Sequence, residues 1–240
     1  MSGDHILVKA LIFDVDGTLA DTEDAHRKAF NNAFQEFGYS WNWDQTLYKA
    51  LLKVTGGKHR IRHFLETAGP DLLQDPGIDE IIADLHKKKT EFYISMLEGG
   101  AVPLRPGIEA LIAECRAKEF RIAIATTTTP VNVEALLSVN LSKESLSWFE
   151  AIGDGGKVPV LKPAPDVYLW VLEQLQLEAK DCLALEDSRN GLLASIAAEL
   201  PCLIVTNPYT EDQDFTGALQ VLPSWEGLDL SELTRLHENA

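Results

Sequence analysis

The sequence predicts an α/β fold: a doubly wound, mainly parallel sheet with an inserted all-helical cap domain. Three observations carry this. Short apolar runs alternate with helical periodicities beyond Pro103, only helical periodicity lies between the first apolar run and Pro103, and successive runs end in polar residues. Residues 1–22 and 103–240 are therefore assigned to the α/β core and residues 23–102 to the helical insert.

The first strand is the run Ile6 to Phe13, rich in branched and aromatic residues and interrupted only by Lys9, as in a strand buried on both faces. It leads directly into Asp14-Val15-Asp16-Gly17-Thr18-Leu19. Two carboxylates thus lie at the carboxyl end of a central strand, where open α/β sheets bind ligands. In a continuing strand Asp14 and Asp16 would share one face, and Gly17 lets the chain turn just beyond them. Carboxylates this close in an apolar crevice repel unless a cation separates them or one holds a proton. On this stretch alone, a solvated Asp-Gly turn stays open as the other reading.

Asp21-Thr22-Glu23-Asp24 begins a helix with Ala29, Phe30, Ala33, Phe34 and Phe37 on its apolar side, ending near Gly38. Glu23 and His26 are neighbours on its first turn, close to the aspartate loop. By themselves they read equally as a favourable first-turn carboxylate and an exposed imidazole. An aromatic cluster follows, Tyr39, Trp41, Trp43 and Tyr48. Thr55-Gly56-Gly57-Lys58-His59-Arg60 then opens a helix bearing Ile61, Phe64 and Leu65. The glycines expose free amides and the three basic residues add donors, which makes either an anion site or a solvated helix start. From Ile78 to Met96 a long helix sets Ile78, Ile81, Ile82, Leu85, Phe92 and Met96 on one face, leaving Lys87-Lys88-Lys89 to a solvated one. Gly99-Gly100 and Pro103 read as a linker.

Beyond it, Pro106 starts a helix through Lys118. Arg121 to Ala125 is a second strand, ending in Thr126-Thr127-Thr128-Thr129, and Pro130 opens a helix through Leu137. Ala151-Ile152 leads into a glycine-rich loop. Lys162-Pro163-Ala164-Pro165-Asp166 precedes a helix to Leu175, its prolines stiffening the backbone around Lys162. A third strand, Cys182 to Leu185, ends at Glu186-Asp187, and Asn190-Gly191 leads into an alanine-rich helix. A fourth strand covers Cys202 to Val205 and a short fifth Leu219 to Leu222.

Composition narrows the function. No stretch has the apolar length of a membrane span, and the first residues lack the basic-then-apolar pattern of a signal peptide, so a cytoplasmic protein without membrane partners is expected. The three cysteines, Cys115, Cys182 and Cys202, are widely spaced in apolar surroundings and read as buried thiols. A formal charge of −16 argues against nucleic acid and anionic membranes as partners. An anionic substrate then needs locally gathered positive charge, from a metal ion or a few basic residues.

The strand ends supply it. Asp14, Asp16 and Asp187 offer hard oxygen ligands for magnesium, while Thr126 and Lys162 suit phosphate oxygens. Singly, Thr126 is also a strand-end hydroxyl and Lys162 a loop residue. Converging in one crevice, they form an anion-and-metal site.

The motifs Asp14-Val15-Asp16-Gly17-Thr18, Thr126, Lys162-Pro163-Ala164-Pro165-Asp166 and Glu186-Asp187-Ser188-Arg189-Asn190-Gly191 resemble, in order, those of the haloacid dehalogenase-like superfamily. The helical insert resembles its first-type cap, so the likeness spans nearly the whole chain. More narrowly, Glu23, His26, Tyr48, Gly56 to Ile61, Ala125 to Thr128 and Asn132 to Leu136 resemble the CbbY-type phosphatases. Those hydrolyse xylulose 1,5-bisphosphate, an inhibitor of rubisco, in photosynthetic or autotrophic cells. The resemblance implies a Rossmann-like hydrolase core, Mg2+ as cofactor and a sugar bisphosphate as small-molecule partner. A monomer is expected, cytoplasmic, or stromal were it a plastid protein freed of its transit peptide.

By that resemblance Asp14 is the nucleophile and Asp16 the general acid and then base, also contacting substrate. The metal is held by Asp14, the Asp16 backbone carbonyl and Asp187, with Glu186 a ligand or a support. Thr126, Thr127, Thr128 and Lys162 bind the transferred phosphate. Glu23 and His26 contact sugar hydroxyls, and Tyr48 with Gly56, Gly57, Lys58 and Arg60 holds the distal phosphate. Two features depart from the pattern. The loop Gly153 to Leu161 is longer than usual, with leucine where a second lysine often stands, and the threonine run ends in Pro130 where serine is usual. A β-phosphoglucomutase-like mutase, a phosphatase of another sugar phosphate, a dehalogenase and a silent sugar-phosphate sensor are the rival readings.

Overall fold

The computed structural model describes residues 8–238, so Ile6 and Leu7 of the expected first strand lie outside the described residues. In chain order the elements are β1 (Ala10–Phe13), α1 (Glu23–Glu36), α2 (Gln45–Leu51), α3 (Gly57–Ala68), α4 (Ile78–Glu98), α5 (Ile108–Ala117), β2 (Arg121–Ala125) and α6 (Pro130–Asn140). They continue with β3 (Ala151–Gly153), α7 (Asp166–Leu175), β4 (Cys182–Glu186), α8 (Arg189–Ala197), β5 (Cys202–Val205), β6 (Gln220–Leu222) and α9 (Leu230–Glu238). The chain divides into two compact units, Met1–Asp21 with Pro103–Ala240, and Thr22–Val102.

The first unit is built on a six-stranded sheet in the order β3-β2-β1-β4-β5-β6, every neighbouring pair parallel. Strand order reverses between β1 and β4, the place where a doubly wound sheet opens a crevice at its carboxyl ends. The central strands read as continuous apolar runs because both faces are covered. Ala10, Ile12, Ala123, Ala125, Cys182 and Ala184 pack with Val167, Tyr168, Val171 and Leu192 of α7 and α8. The alternate residues Leu11, Phe13, Ile124, Leu183 and Leu185 are buried as well. All three cysteines are buried free thiols.

Register sets the site. Phe13 pairs with Ile124 on one side and Leu185 on the other. The next residue of each strand therefore leaves the sheet at one level: Asp14, Ala125 ahead of Thr126, and Glu186 ahead of Asp187. Asp14 N donates to Leu185 O across 2.9 Å, the last rung before the chain turns away.

Three expectations for the first unit need correction. Among the described residues β1 begins at Ala10, leaving Val8 and Lys9 outside it, with Lys9 Nζ on Asp181 Oδ2. Asp14 and Asp16 do not continue the strand as one face, because it ends at Phe13 and Asp16 sits in a tight turn bridged to Ala20. Ala151–Gly153 is a sixth strand at the sheet edge, where a loop was expected. Tyr48, which the sequence reading placed on no element, lies on α2, with the Asp44 carboxylate accepting from Leu47 N as its cap.

The second unit is all helical, its core formed by the aromatic cluster. Trp43 is buried, with ring centroids 4.6 Å from Phe30, 4.9 Å from Phe34 and 5.4 Å from Phe64. Contacts of this kind contribute about 1 kcal/mol each beyond area burial. The expected face of α4 is rotated: its buried stripe is Ile78, Ile82, Leu85, Lys89, Tyr93 and Leu97, in place of Ile81, Phe92 and Met96. Lys89 is thus inside, not on a solvated face.

Candidate active site

Lys162 Nζ is the hub of the first unit's site. It donates to Asp14 Oδ1 across 2.8 Å, to Glu186 Oε1 across 2.6 Å and to the Ala125 carbonyl across 2.7 Å. All three side chains are buried. Burial works against the ammonium charge, but Asp14 and Glu186 outweigh it and hold the Lys162 pKa above its usual value. Burial pushes Asp14 up to about 7, with Glu186 and Asp16 adding to the rise and Lys162 opposing it. One ammonium is thus too little positive charge for the carboxylates around it.

Asp14, Glu186 and Asp187 each bring an oxygen within 4.8 Å of the others, a set of hard donors suited to a divalent cation. Among them Glu186 is the most committed, since its Oε1 also accepts from Tyr168 OH across 2.7 Å. Asp187 Oδ2 accepts from Asn207 Nδ2 across 2.7 Å. Gly17 fits where nothing else could: its φ is +81°, and a Cβ there would lie 2.2 Å from Asp187 Oδ2. Arg105, also buried, ties this turn to the end of β5 by donating to the carbonyls of Gly17, Val205 and Thr206.

The threonine loop continues β2. Thr126 is buried, its N donates to Gly153 O across 2.9 Å, and its Oγ1 accepts from Thr128 N. Thr127 and Thr128 are half-buried, and Asn132 Nδ2 donates to Thr128 Oγ1 across 3.0 Å.

The second unit gathers its own cluster. Tyr48 OH donates to Glu23 Oε2 across 3.0 Å and accepts from Arg60 across 3.1 Å, the guanidinium lying 5.3 Å from the tyrosine ring centroid. His26 is buried, with Lys89 Nζ at 2.8 Å from its Nδ1. Gly56 and Gly57 begin α3, and a Cβ on Gly57 would lie 2.5 Å from His86 Nε2. Burial, then the charges of Lys89, Lys58 and Arg60, push His86 down to about 3. Lys58 is exposed at this helix start.

Sequence reasoning missed Lys89, His86, Asn207, Arg105 and Tyr168. For Lys89 a signal existed, since its spacing from Leu85 and to Tyr93 puts it on the apolar stripe. For Asn207, the position two residues beyond the end of β5 was the hint.

Residues 8–199 match the family model of haloacid dehalogenase-like hydrolases. The chain belongs to this family. As a haloacid dehalogenase-like hydrolase it is an enzyme, and it is similar to the CbbY proteins: that of Cupriavidus necator is 50% identical over 216 residues, covering 90% of this chain and 85% of that one. The crystal structure of CbbY from Rhodobacter sphaeroides in complex with phosphate superposes with a TM-score of 0.86 at 41% identity, covering 95% of this chain and 99% of that chain. A mutant of that CbbY in complex with xylulose 1,5-bisphosphate superposes with a TM-score of 0.87 at 40% identity, with the same coverage. Among the described residues no helix is long and apolar enough to cross a membrane.

Proposed function

We propose that the protein is a magnesium-dependent sugar-bisphosphate phosphatase that forms an aspartyl-phosphate at Asp14, with xylulose 1,5-bisphosphate as its substrate. The observation that carries this is the buried Asp14–Lys162–Glu186 cluster beside Asp187, a set of carboxylates with one ammonium. That balance suits a cation and a phosphoryl group. The substrate follows from the xylulose bisphosphate held by the CbbY mutant from Rhodobacter sphaeroides. A bisphosphate carries two anions: one suits Lys162 together with the cation that its neighbouring carboxylates would hold, and Lys58 and Arg60 of the second unit suit the other.

Asp14 and Asp187 would hold the magnesium ion with the Asp16 backbone carbonyl, while Glu186, which accepts from Lys162 and Tyr168, supports them by holding the Lys162 ammonium in place. When bound, the ion neutralises the carboxylates and the phosphoryl oxygens. The Asp14 oxygen not engaged by Lys162 attacks phosphorus, and the bond from phosphorus to the sugar oxygen breaks. Asp16 gives that oxygen a proton. Water then attacks the aspartyl-phosphate, Asp16 takes its proton, and phosphate leaves with Asp14 restored. Lys162, Thr126 and the Thr127 and Thr128 amides orient the transferred group. Glu23 and His26 take the sugar hydroxyls, and Tyr48, Gly56, Gly57, Lys58 and Arg60 the distal phosphate.

The test is a phosphate-release screen over sugar mono- and bisphosphates, with magnesium or with a chelator. Release is expected from xylulose 1,5-bisphosphate in preference to monophosphates, lost on chelation and in Asp14→Asn. Glucose 1-phosphate with a bisphosphate primer tests the mutase alternative, and isomerisation without phosphate release would overturn the phosphatase reading.

A further inference from the structure

Tyr168 has no part in the steps above. It lies on the first turn of α7, fully buried, and its hydroxyl donates to the same Glu186 Oε1 that accepts from Lys162. Its ring centroid is 4.9 Å from Lys162 Nζ. One tyrosine therefore touches both partners of the ion cluster, the carboxylate with its hydroxyl and the ammonium with its face. Tyr168, Glu186, Lys162 and Asp14 form a single buried chain ending on the nucleophile.

We propose that Tyr168 is a positioning residue that sets how Lys162 divides its hydrogen bonds between Glu186 and Asp14; this rests on Asp14 being the nucleophile. A carboxylate oxygen that already accepts from a hydroxyl has less negative potential to offer an ammonium. Without the hydroxyl, Glu186 Oε1 draws Lys162 toward itself, and Asp14 loses part of the contact that orients it. The ring itself is held by Val167, Val171, Ala184 and their neighbours, so phenylalanine fits the same space. Substrate is not touched, so the loss falls on kcat and spares KM.

The experiment is Tyr168→Phe in the full chain, assayed on xylulose 1,5-bisphosphate by steady state and by rapid-quench detection of the phosphoenzyme. A kcat and a rate of phosphoenzyme formation reduced about 10- to 100-fold, with KM within about threefold, are expected. In a Glu186→Gln background the same change should cost less than about twofold, since the carboxylate it acts through is gone. A kcat within twofold of the parent, a KM that rises as kcat falls, or an equal loss in the Glu186→Gln background would overturn the proposal. Should phenylalanine at 168 prevent folding, 4-aminophenylalanine, which keeps a donor, and 4-fluorophenylalanine, which lacks one, carry the same contrast: only the former should retain kcat. Activity surviving in Asp14→Asn would instead overturn the nucleophile assignment, an outcome separate from any result at position 168.

Discussion

Lys89 Nζ donates to His26 Nδ1 across 2.8 Å inside the helical unit, with the ring centroids of Phe30 and Tyr93 4.9 and 5.2 Å from the ammonium. An ammonium accepts no hydrogen bond, so the imidazole is unprotonated at Nδ1 and carries its proton on Nε2. Lys89 thereby keeps His26 a hydrogen-bond donor at the other nitrogen, the form that the proposed contact with a sugar hydroxyl needs. Lys89→Met keeps the apolar stem and removes this control. KM for the bisphosphate is expected to rise at least about tenfold, the order of one charge-assisted hydrogen bond. Nitrogen-15 NMR of the His26 ring should report mixed tautomers in the variant and one in the parent.

Lys162 is the sole ammonium within hydrogen-bond reach of both Asp14 and Glu186 among the described residues. Removing one partner from a buried ion cluster leaves uncompensated charge, a change that costs about 3–5 kcal/mol. Lys162→Met should lower stability by that order in urea titrations at pH 8 and reduce phosphate release by at least about 1000-fold. The stability deficit should shrink as pH falls, because the abandoned carboxylates then take up protons.

Asn207 holds Asp187 Oδ2 beside the turn at Gly17. Residues that orient a metal ligand typically contribute 10- to 100-fold to affinity. Asn207→Ala should weaken magnesium binding by that factor in calorimetry without substrate, and substrate KM should move far less. Asp14 adds a pH signature. Its pKa is raised from 3.8 to about 7, so the metal-free fold keeps a proton that the unfolded chain releases. That stability is fully present below pH 3.8 and declines as pH rises through 7. Magnesium should therefore raise the melting temperature more at pH 8 than at pH 5.

The parallel sheet and the carboxylate cluster at its tips were legible because each apolar strand runs directly into its polar tip, and parallel register brings those tips level. Asp14, Thr126, Glu186 and Asp187 are therefore readable one strand at a time, and Lys162 by the prolines that flank it. Tyr168 and Asn207 were not, since a tyrosine on an apolar helical stripe looks like core and an asparagine after a strand like a turn. β3 escaped notice because three residues, two of them alanine and glycine, make no apolar run. Lys89 was hidden by its own neighbours: in a run of three lysines the period that buries the third is visible only once the stripe through Leu85 and Tyr93 is in register.

His86 gives the helical unit a pH dependence of opposite sign to that of Asp14. Burial comes first, and the cations Lys89, Lys58 and Arg60 add repulsion, so the imidazole stays neutral in the fold down to about pH 3, while in the unfolded chain it protonates near 6.5. Below 6.5 the unfolded state binds the extra proton, so this contribution is fully present above that pH and is lost progressively as pH falls toward 3. One pH unit below 6.5 the loss is about 1 kcal/mol. His86→Gln keeps polar groups against Gly57 but cannot take up the proton. Its stability, followed by thermal melts between pH 7 and 5, should fall less steeply than that of the parent. A dianionic phosphate near Lys58 and Arg60 would offset part of the repulsion. Adding sulfate, which unlike inorganic phosphate stays dianionic from pH 7 to 5, should therefore flatten the parent's slope over the same range and leave the His86→Gln slope nearly unchanged.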